Sequence, residues 1–308
     1  MNRKNQPVNL AESIRQRLRN LAKSQERPAG DLLQYYAMER FLYRLSKSSF
    51  ADRFILKGAL MLNILGGSLS RATKDIDFLG RTENNIETIS NAIKDCLLME
   101  VPKDGLEFEI ATLKVKPIQL DSPKVVAAVT FDAKIGGSIL KMRVDISFGS
   151  DVVPEPLWVV YPQLLDFGSP ELLGYTAESI IADKFEAMVS RNETNTRLKD
   201  FYDIWVLSEI REFEGALLQE AIASTFLFFK TEIPKKVPLG LTQEFFERAD
   251  KLAQWTAFFR NAKISIKLDL AKATKRIEKF LMPVCAQINN NQEFKAKWVP
   301  QKGWIDLA

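Results

Sequence analysis

The most restrictive feature of this sequence is a pair of alternating segments, KVVAAVTFDAKI and SILKMRVDISFG, on either side of Gly136-Gly137. Runs of β-branched and aromatic residues around two adjacent glycines are typical of a β-hairpin, because glycine accepts the positive φ angles of tight turns. In the second segment apolar residues alternate with polar ones, which places Asp145 on the face opposite the apolar side chains. The sequence therefore predicts an antiparallel sheet with Asp145 on its polar face.

Segments with helical periodicity surround this sheet. The predicted helices cover residues 9–24, 31–47, 56–65, 82–97, 176–190 and 196–210, and the chain becomes helical again beyond Pro238. The segments LSRATKDIDFLG and LEFEIATLKVKPI are the other predicted strands. A sheet bracketed by helices is an α+β arrangement. We expect one domain over residues 1–170 and a mainly helical second domain over residues 171–308.

Composition excludes several kinds of chemistry. The chain has 308 residues and no histidine, so schemes that need a histidine base or a histidine metal ligand are excluded. Its two cysteines, Cys96 and Cys285, are too far apart in sequence for a zinc-ligand motif. No apolar run of signal-peptide or membrane-spanning type is present, which predicts a cytoplasmic protein without membrane contact.

Charge is unevenly distributed along the chain. Residues 1–60 have a formal charge of +7, residues 61–250 of −10, and residues 251–308 of +7. An acidic centre with basic ends suits a metal-binding core with segments for a polyanion, although solvated helix faces give the same count.

Two further carboxylates accompany Asp145. Asp75 and Asp77 are two residues apart in a predicted strand, so both side chains point to one side of it. If this strand is a neighbour of the one with Asp145, three carboxylates converge and can hold two Mg²⁺ ions, and Asp145 can also act as a base for an attacking hydroxyl. The alternative is an ordinary solvated strand face.

The run GGS at residues 66–68 precedes this acidic pair. Glycine lets the backbone approach a phosphate closely, and a serine hydroxyl adds a hydrogen-bond donor. A glycine helix stop followed by a turn explains the same residues.

Four segments, LKGALMLNILGGSLSRATKDIDFLG, RVDISFG, ESIIADKFEAMVSR and RLKDFYDIWVL, occur in this order over residues 54–208. Together they resemble the AbiEii/MenT-type toxins of type IV toxin–antitoxin systems, within the DNA polymerase β-like nucleotidyltransferase superfamily. The resemblance implies the polymerase β-like core fold and a cognate antitoxin partner.

The resemblance also implies roles for individual residues. Gly67 and Ser68 correspond to triphosphate-binding positions, and Asp75 and Asp77 to metal-binding positions. We also count Arg71 as a candidate substrate-binding residue. The family's lysine falls on Lys184, and its last motif falls on Arg197 with either Asp200 or Asp203.

From the residues alone, simpler explanations stay open for the helical positions. Lys184 could be an exposed lysine that pairs with acids on its own helix, and Arg197 and Asp200 could form a helical ion pair.

The function that these features favour is a magnesium-dependent transfer of NMP from NTP to an acceptor. The resemblance implies the 3′ end of tRNA as the acceptor and a block of translation as the result. A metal-dependent nuclease and a catalytically silent nucleic-acid-binding protein are the alternatives. The basic C-terminal segment, with Trp298 and Trp304, could bind RNA through lysines and indole stacking, or could be a packed helical cap.

Overall fold

The computed structural model describes residues 9–69, 71–118, 125–149, 152–262, 264 and 266–307. The chain divides into two compact units. The first contains the chain up to Leu56, Thr73–Phe148 and Trp158–Gly174. The second contains Lys57–Ala72, Gly149–Leu157 and the chain from Tyr175 onwards.

A seven-stranded mixed sheet forms the centre of the first unit. In chain order its strands are β1 (Phe54–Lys57), β2 (Ile76–Gly80), β3 (Glu107–Ile118), β4 (Val125–Ile135), β5 (Ser138–Phe148), β6 (Leu157–Val160) and β7 (Glu171–Gly174). Their order across the sheet is β3-β4-β5-β2-β1-β7-β6. The hairpin predicted at Gly136-Gly137 is confirmed, since β4 and β5 pair antiparallel with Ile135 opposite Ser138. Strand β2 pairs parallel with β5, and β1 with β7.

Ten α-helices are present in the described part of the chain. They are α1 (Leu10–Ser24), α2 (Ala29–Lys47), α3 (Gly58–Leu65), α4 (Ile86–Leu98), α5 (Ala177–Arg191), α6 (Leu198–Ile210), α7 (Gly215–Phe229), α8 (Gln243–Phe246), α9 (Ala249–Ala262) and α10 (Leu270–Asn289). Asparagine side chains cap α1 and α4, where Asn9 and Asn85 accept hydrogen bonds from the backbone three residues on. The α+β prediction is confirmed.

Aromatic residues form the core of the first unit. Phe54 on β1 packs against Phe78 on β2, with ring centroids 5.8 Å apart, and both side chains are fully buried. Helix α2 is fixed by a buried ion pair, in which the Arg44 guanidinium donates to both carboxylate oxygens of Asp104. Burial of these rings gives β2, the strand that carries Asp77, a rigid support.

The second unit is mainly helical. Phe185 on α5 packs against Phe226 on α7, with ring centroids 5.4 Å apart. A small antiparallel sheet completes the unit, built from β8 (Phe213–Glu214), β9 (Ala296–Val299) and β10 (Gly303–Asp306). The sequence pattern did not predict β9 and β10, because four-residue strands are too short to show a clear alternation.

The two C-terminal tryptophans pack within this unit, Trp298 in its interior and Trp304 partly exposed. Trp298 is fully buried, and its indole N–H donates to the Ser208 carbonyl at 2.8 Å. Trp304 stacks on Phe280 at 5.8 Å and donates to the Phe280 carbonyl at 2.9 Å. Trp298 cannot stack on an RNA base from this position, so the hypothesis of indole stacking is wrong for it. The packed-cap explanation fits both tryptophans.

Two elements near the acidic pair differ from their sequence-based predictions. Strand β2 covers Ile76–Gly80, so the prediction of a strand over residues 69–80 is wrong for Leu69 and for residues 71–75, and Ser70 lies outside the described residues. Gly67–Leu69 form a short 3₁₀ turn instead, and Asp75 lies just before the strand.

None of the helices in the described part of the chain has both the length and the apolar character that a membrane span requires.

Candidate active site

Two of the predicted carboxylates lie side by side in the first unit. Strands β2 and β5 are parallel neighbours, and the Cα of Asp77 is paired in register with the Cα of Asp145. Adjacent strands are about 4.8 Å apart. The residues that flank Asp77, Ile76 and Phe78, are fully buried, whereas Asp77 itself is half-buried. This alternation fixes the Asp77 side chain on the polar face of the sheet.

Asp145 has a cationic partner on its own strand. The Arg143 guanidinium donates from Nε to Oδ1 of Asp145 at 3.0 Å and from Nη2 to Oδ2 at 3.2 Å. Partial burial raises the pKa of the Asp145 carboxyl, the arginine lowers it, and the negative charges of Asp77 and Asp75 raise it again. The net result is a pKa above the ordinary value for aspartate, which makes Asp145 a better proton acceptor than a solvated carboxylate.

These carboxylates are candidate metal ligands. Within the described ranges, no group of three or more His, Cys, Asp or Glu side chains is arranged to hold a metal ion. The donors nonetheless fit Mg²⁺, which prefers carboxylate oxygens, and Asp77 and Asp145 come from adjacent register positions. Arg143 supplies the positive charge that balances Asp145 here. A metal ion at Asp145 would have to displace that guanidinium.

Lys184 is at the centre of a buried charge cluster in the second unit. Its ammonium donates to Oδ1 of Asp200 at 2.9 Å and to Oδ2 of Asp203 at 2.7 Å. Both partners are on α6, not on the lysine's own helix, and Lys184 is only 8% exposed. The alternative of an exposed lysine paired within α5 is therefore wrong. Burial lowers the pKa of Lys184, but the two carboxylates outweigh burial and hold the pKa above its usual value.

Each carboxylate of this cluster has a second cationic partner. Arg71 contacts Asp203 through two nitrogens, from Nε to Oδ1 at 2.9 Å and from Nη2 to Oδ2 at 3.0 Å. Arg197 contacts Asp200, with Nε 2.9 Å from Oδ2, so the helical ion pair is present. Burial raises the pKa of Asp203, and Lys184 and Arg71 reverse this, which leaves its pKa below the ordinary value.

The glycine-serine segment belongs to the same unit. Gly67 has a φ of +54°, a left-handed conformation that favours glycine. The Tyr202 hydroxyl donates to the Leu69 carbonyl at 2.8 Å and ties the 3₁₀ turn to α6. The Ser68 side chain lies outside the described part of the structure.

Comparison with protein-family models identifies the family of this chain. The model for the nucleotidyl transferase AbiEii toxin of type IV toxin–antitoxin systems matches residues 40–279, which is more than three quarters of the chain. The chain belongs to the AbiEii family. It is therefore a nucleotidyltransferase, and all of the predicted AbiEii site residues fall within the matched range.

Solved structures give more distant similarities. JHP933 from Helicobacter pylori is 16% identical, with a TM-score of 0.49, and the match covers 85% of this chain and 94% of that one. An antigenic nucleotidyltransferase-like protein from Paracoccidioides brasiliensis is 14% identical, with a TM-score of 0.35, over 77% of this chain and 92% of that one. No curated protein gives a significant match.

Two charged residues of this AbiEii protein were not predicted as site residues from the sequence. Strand alternation places Arg143 beside Asp145 on the same face, but it does not show that the two side chains form an ion pair. Lys199 lies between Arg197 and Asp200 near the start of α6, in a cluster whose other members come from three separate segments. Only the folded chain shows which of those charges are already paired.

Proposed function

We propose that this AbiEii protein is a magnesium-dependent nucleotidyltransferase that moves NMP from NTP to a hydroxyl of an RNA acceptor, the 3′ end of tRNA. The observation that carries the proposal is the register pairing of Asp77 with Asp145 on adjacent parallel strands. Family membership supports nucleotidyl transfer, a triphosphate substrate and an antitoxin partner. Modified tRNA ends would block translation, and we place the protein in the cytoplasm, where these partners occur.

The reaction joins the acceptor oxygen to the α-phosphorus of NTP and breaks the bond from that phosphorus to the bridging oxygen. Pyrophosphate leaves, and Asp145 accepts the proton of the acceptor hydroxyl. The register position of Asp145 beside Asp77 supports this role as a base. We assign triphosphate binding to Gly67, Ser68, Arg71 and Arg197, following the family's motifs.

Asp75, Asp77 and Asp145 would hold the Mg²⁺ ions in this proposal. The bound metal would neutralise phosphate charge and lower the pKa of the acceptor hydroxyl. Asp77 and Asp145 supply the hard oxygen ligands that magnesium prefers, and the contribution of Asp75 is part of the proposal.

A transfer assay separates this function from its alternatives. Purified protein is incubated with total tRNA, Mg²⁺ and each α-labelled NTP in turn. Transfer predicts labelled tRNA that is longer by at least one nucleotide. A nuclease would shorten the RNA without any NTP, and a silent binding protein would retain RNA after chelation of Mg²⁺ and leave its length unchanged.

The lysines of α10 are the candidate acceptor-binding surface. Lys272, Lys275 and Lys279 are exposed at helical spacing, and none of them has an ion pair with another described residue. Free ammonium groups along one side of a helix can neutralise successive RNA phosphates. Arg276 differs from them, because its guanidinium donates to the Ser208 carbonyl inside the unit.

Charge reversal tests this surface. Changing Lys272, Lys275 and Lys279 to Glu should weaken tRNA binding at least about tenfold and reduce the slope of log affinity against log salt by about 2 to 3. The matched control reverses three other exposed lysines, Lys94, Lys103 and Lys236. Equal losses in both triple variants would contradict a specific role for α10, as would a wild-type salt slope in a folded α10 variant.

A further inference from the structure

Strands β4 and β3 extend the polar face of the sheet beyond Asp145. Ala128 on β4 is paired in register with Asp145, and Lys116 on β3 is paired with Ala128. Residues directly opposite each other on neighbouring strands point to the same face, so Lys116 shares the face of Asp145 and Asp77. Three strand spacings of about 4.8 Å place the Cα of Lys116 about 14 Å from that of Asp77.

The next row of this face, two residues along each strand, contains two more cations. Lys114 on β3 is paired with Thr130 on β4, and Thr130 is paired with Arg143 on β5. All three side chains are exposed, whereas both chain neighbours of Thr130 are buried. The face therefore presents Lys114, Lys116 and Arg143 next to the carboxylate pair, and only the short side chains of Ala128 and Thr130 lie between β3 and β5.

The two lysines of β3 differ in their pairing from Lys134 and Lys141, which lie nearer the hairpin turn on the same face. Lys134 and Lys141 form ion pairs with carboxylates of the neighbouring strand, at 3.0 and 2.7 Å. Lys114 and Lys116 are exposed and have no ion pair with any residue that the structure describes. The turn end of the face is thus neutralised within the protein, whereas the part level with the carboxylate pair keeps unpaired positive charge.

We propose that Lys114 and Lys116 bind phosphates of a single RNA strand, the acceptor end whose terminal hydroxyl reaches Asp145. This inference rests on the proposed function and adds a contact in the first unit to the α10 lysines. The two lysines are two residues apart on an extended strand, with Cα atoms about 7 Å apart, so each can neutralise a different phosphate of one RNA strand. The small side chain of Ala128 leaves room for that strand between Lys116 and Asp145.

The spread of these charges favours an RNA strand over a triphosphate as the ligand. Lys116 is two strands away from Asp145, about 10 Å between Cα atoms, and Lys114 is in the next row. RNA carries one negative charge per phosphate along its length, which suits cations that are spaced across a sheet. A triphosphate concentrates its charge on adjacent phosphorus atoms and suits a compact cluster. Because β3 is an edge strand, no other strand of the described sheet covers the far side of these lysines.

Binding of a labelled single-stranded RNA of about 12 nucleotides tests this surface without requiring chemistry. Fluorescence anisotropy over a range of salt concentrations compares the wild type with Lys114→Gln/Lys116→Gln, Lys114→Arg/Lys116→Arg and the control Lys134→Gln/Lys141→Gln. The control removes the same charge from the same face.

The Lys114→Gln/Lys116→Gln variant should bind the RNA about tenfold more weakly. The slope of log affinity against log salt should fall by about 1.4, because each lost phosphate contact of a single strand accounts for about 0.7. The double Arg variant should recover most of the affinity. The control should bind close to the wild type, because salt screens charges outside the contact region.

Other outcomes would overturn the surface. Wild-type RNA affinity in the folded double Gln variant, no RNA binding by the wild type, or an equal loss in the control contradicts it. Inorganic tripolyphosphate, titrated by calorimetry, should bind the double Gln variant and the wild type equally. A loss confined to tripolyphosphate assigns Lys114 and Lys116 to the nucleotide instead. Self-association of the double Gln variant with unchanged RNA affinity would mean that the lysines only protect an exposed sheet edge.

The surface and the proposed function can fail separately. If RNA binding depends on Lys114 and Lys116 but no NTP supports transfer to RNA, the surface stands and the proposed function fails. If the wild type transfers NMP to tRNA and the double Gln variant binds RNA as tightly as the wild type, the function stands and the surface fails.

Discussion

Asp77→Asn is expected to reduce NMP transfer by at least about a thousandfold, which corresponds to about 4 kcal/mol in the activation barrier. The amide keeps the shape of the side chain but removes the negative charge that would hold a metal ion. Stability should change little, because Asp77 repels the neighbouring Asp145 but also attracts the Arg143 guanidinium. Transfer assays and thermal unfolding by circular dichroism measure the two effects.

The combination of lost activity with unchanged or higher stability distinguishes a functional carboxylate from a structural one. Asp95→Asn is the matched control, since Asp95 is an exposed aspartate of α4. It should leave both transfer and unfolding unchanged. An Asp77→Asn variant that transfers NMP at near the wild-type rate would remove Asp77 from the active site.

Lys184→Met should destabilise the second unit by about 3 kcal/mol and also weaken triphosphate binding. The substitution leaves Asp200 and Asp203 buried at 2% exposure without their shared ammonium. The loss should fall at the lower end of the range for broken buried ion pairs, because Arg71 and Arg197 continue to neutralise one carboxylate each. Urea unfolding and tripolyphosphate calorimetry provide the two measurements.

Lys94→Met controls for the loss of one lysine from an exposed position. A Lys184→Met variant within about 0.5 kcal/mol of the wild type would show that Arg71 and Arg197 alone compensate the two buried carboxylates, and would contradict a stabilising role for the Lys184 ammonium. If stability falls but tripolyphosphate affinity is unchanged, Lys184 does not contribute to triphosphate binding.

Local patterns made part of this fold predictable. The Gly136-Gly137 hairpin could be predicted because glycine conformation and strand alternation act over a few residues. The same alternation placed Asp77 and Asp145 on polar strand faces. The sequence alone could not show that Asp77 and Asp145 are neighbours, because the parallel pairing of β2 with β5 joins segments that are nearly 70 residues apart.

Long-range charge pairing could not be predicted in the same way. The spacing on α5 favours Lys184 partners within that helix, but its partners are on α6, and Arg71 reaches Asp203 across 132 residues of sequence. Trp298 resembled an exposed aromatic in a basic tail, whereas it lies on the short strand β9 and is fully buried against Phe280 of α10. Tertiary packing decides which charged groups are paired, so the sequence could not show that Lys199 has no ion-pair partner among the described residues.

The fate of individual phosphates is the most direct test of nucleotidyl transfer. Parallel reactions contain the preferred NTP labelled at either the α- or the γ-phosphate, together with tRNA and Mg²⁺, and are resolved on a denaturing gel. The account predicts that the α-label enters lengthened tRNA, that the γ-label is recovered only as pyrophosphate, and that Asp77→Asn gives neither product. Transfer of the γ-label to tRNA, or shortening of the RNA without consumption of NTP, would contradict it.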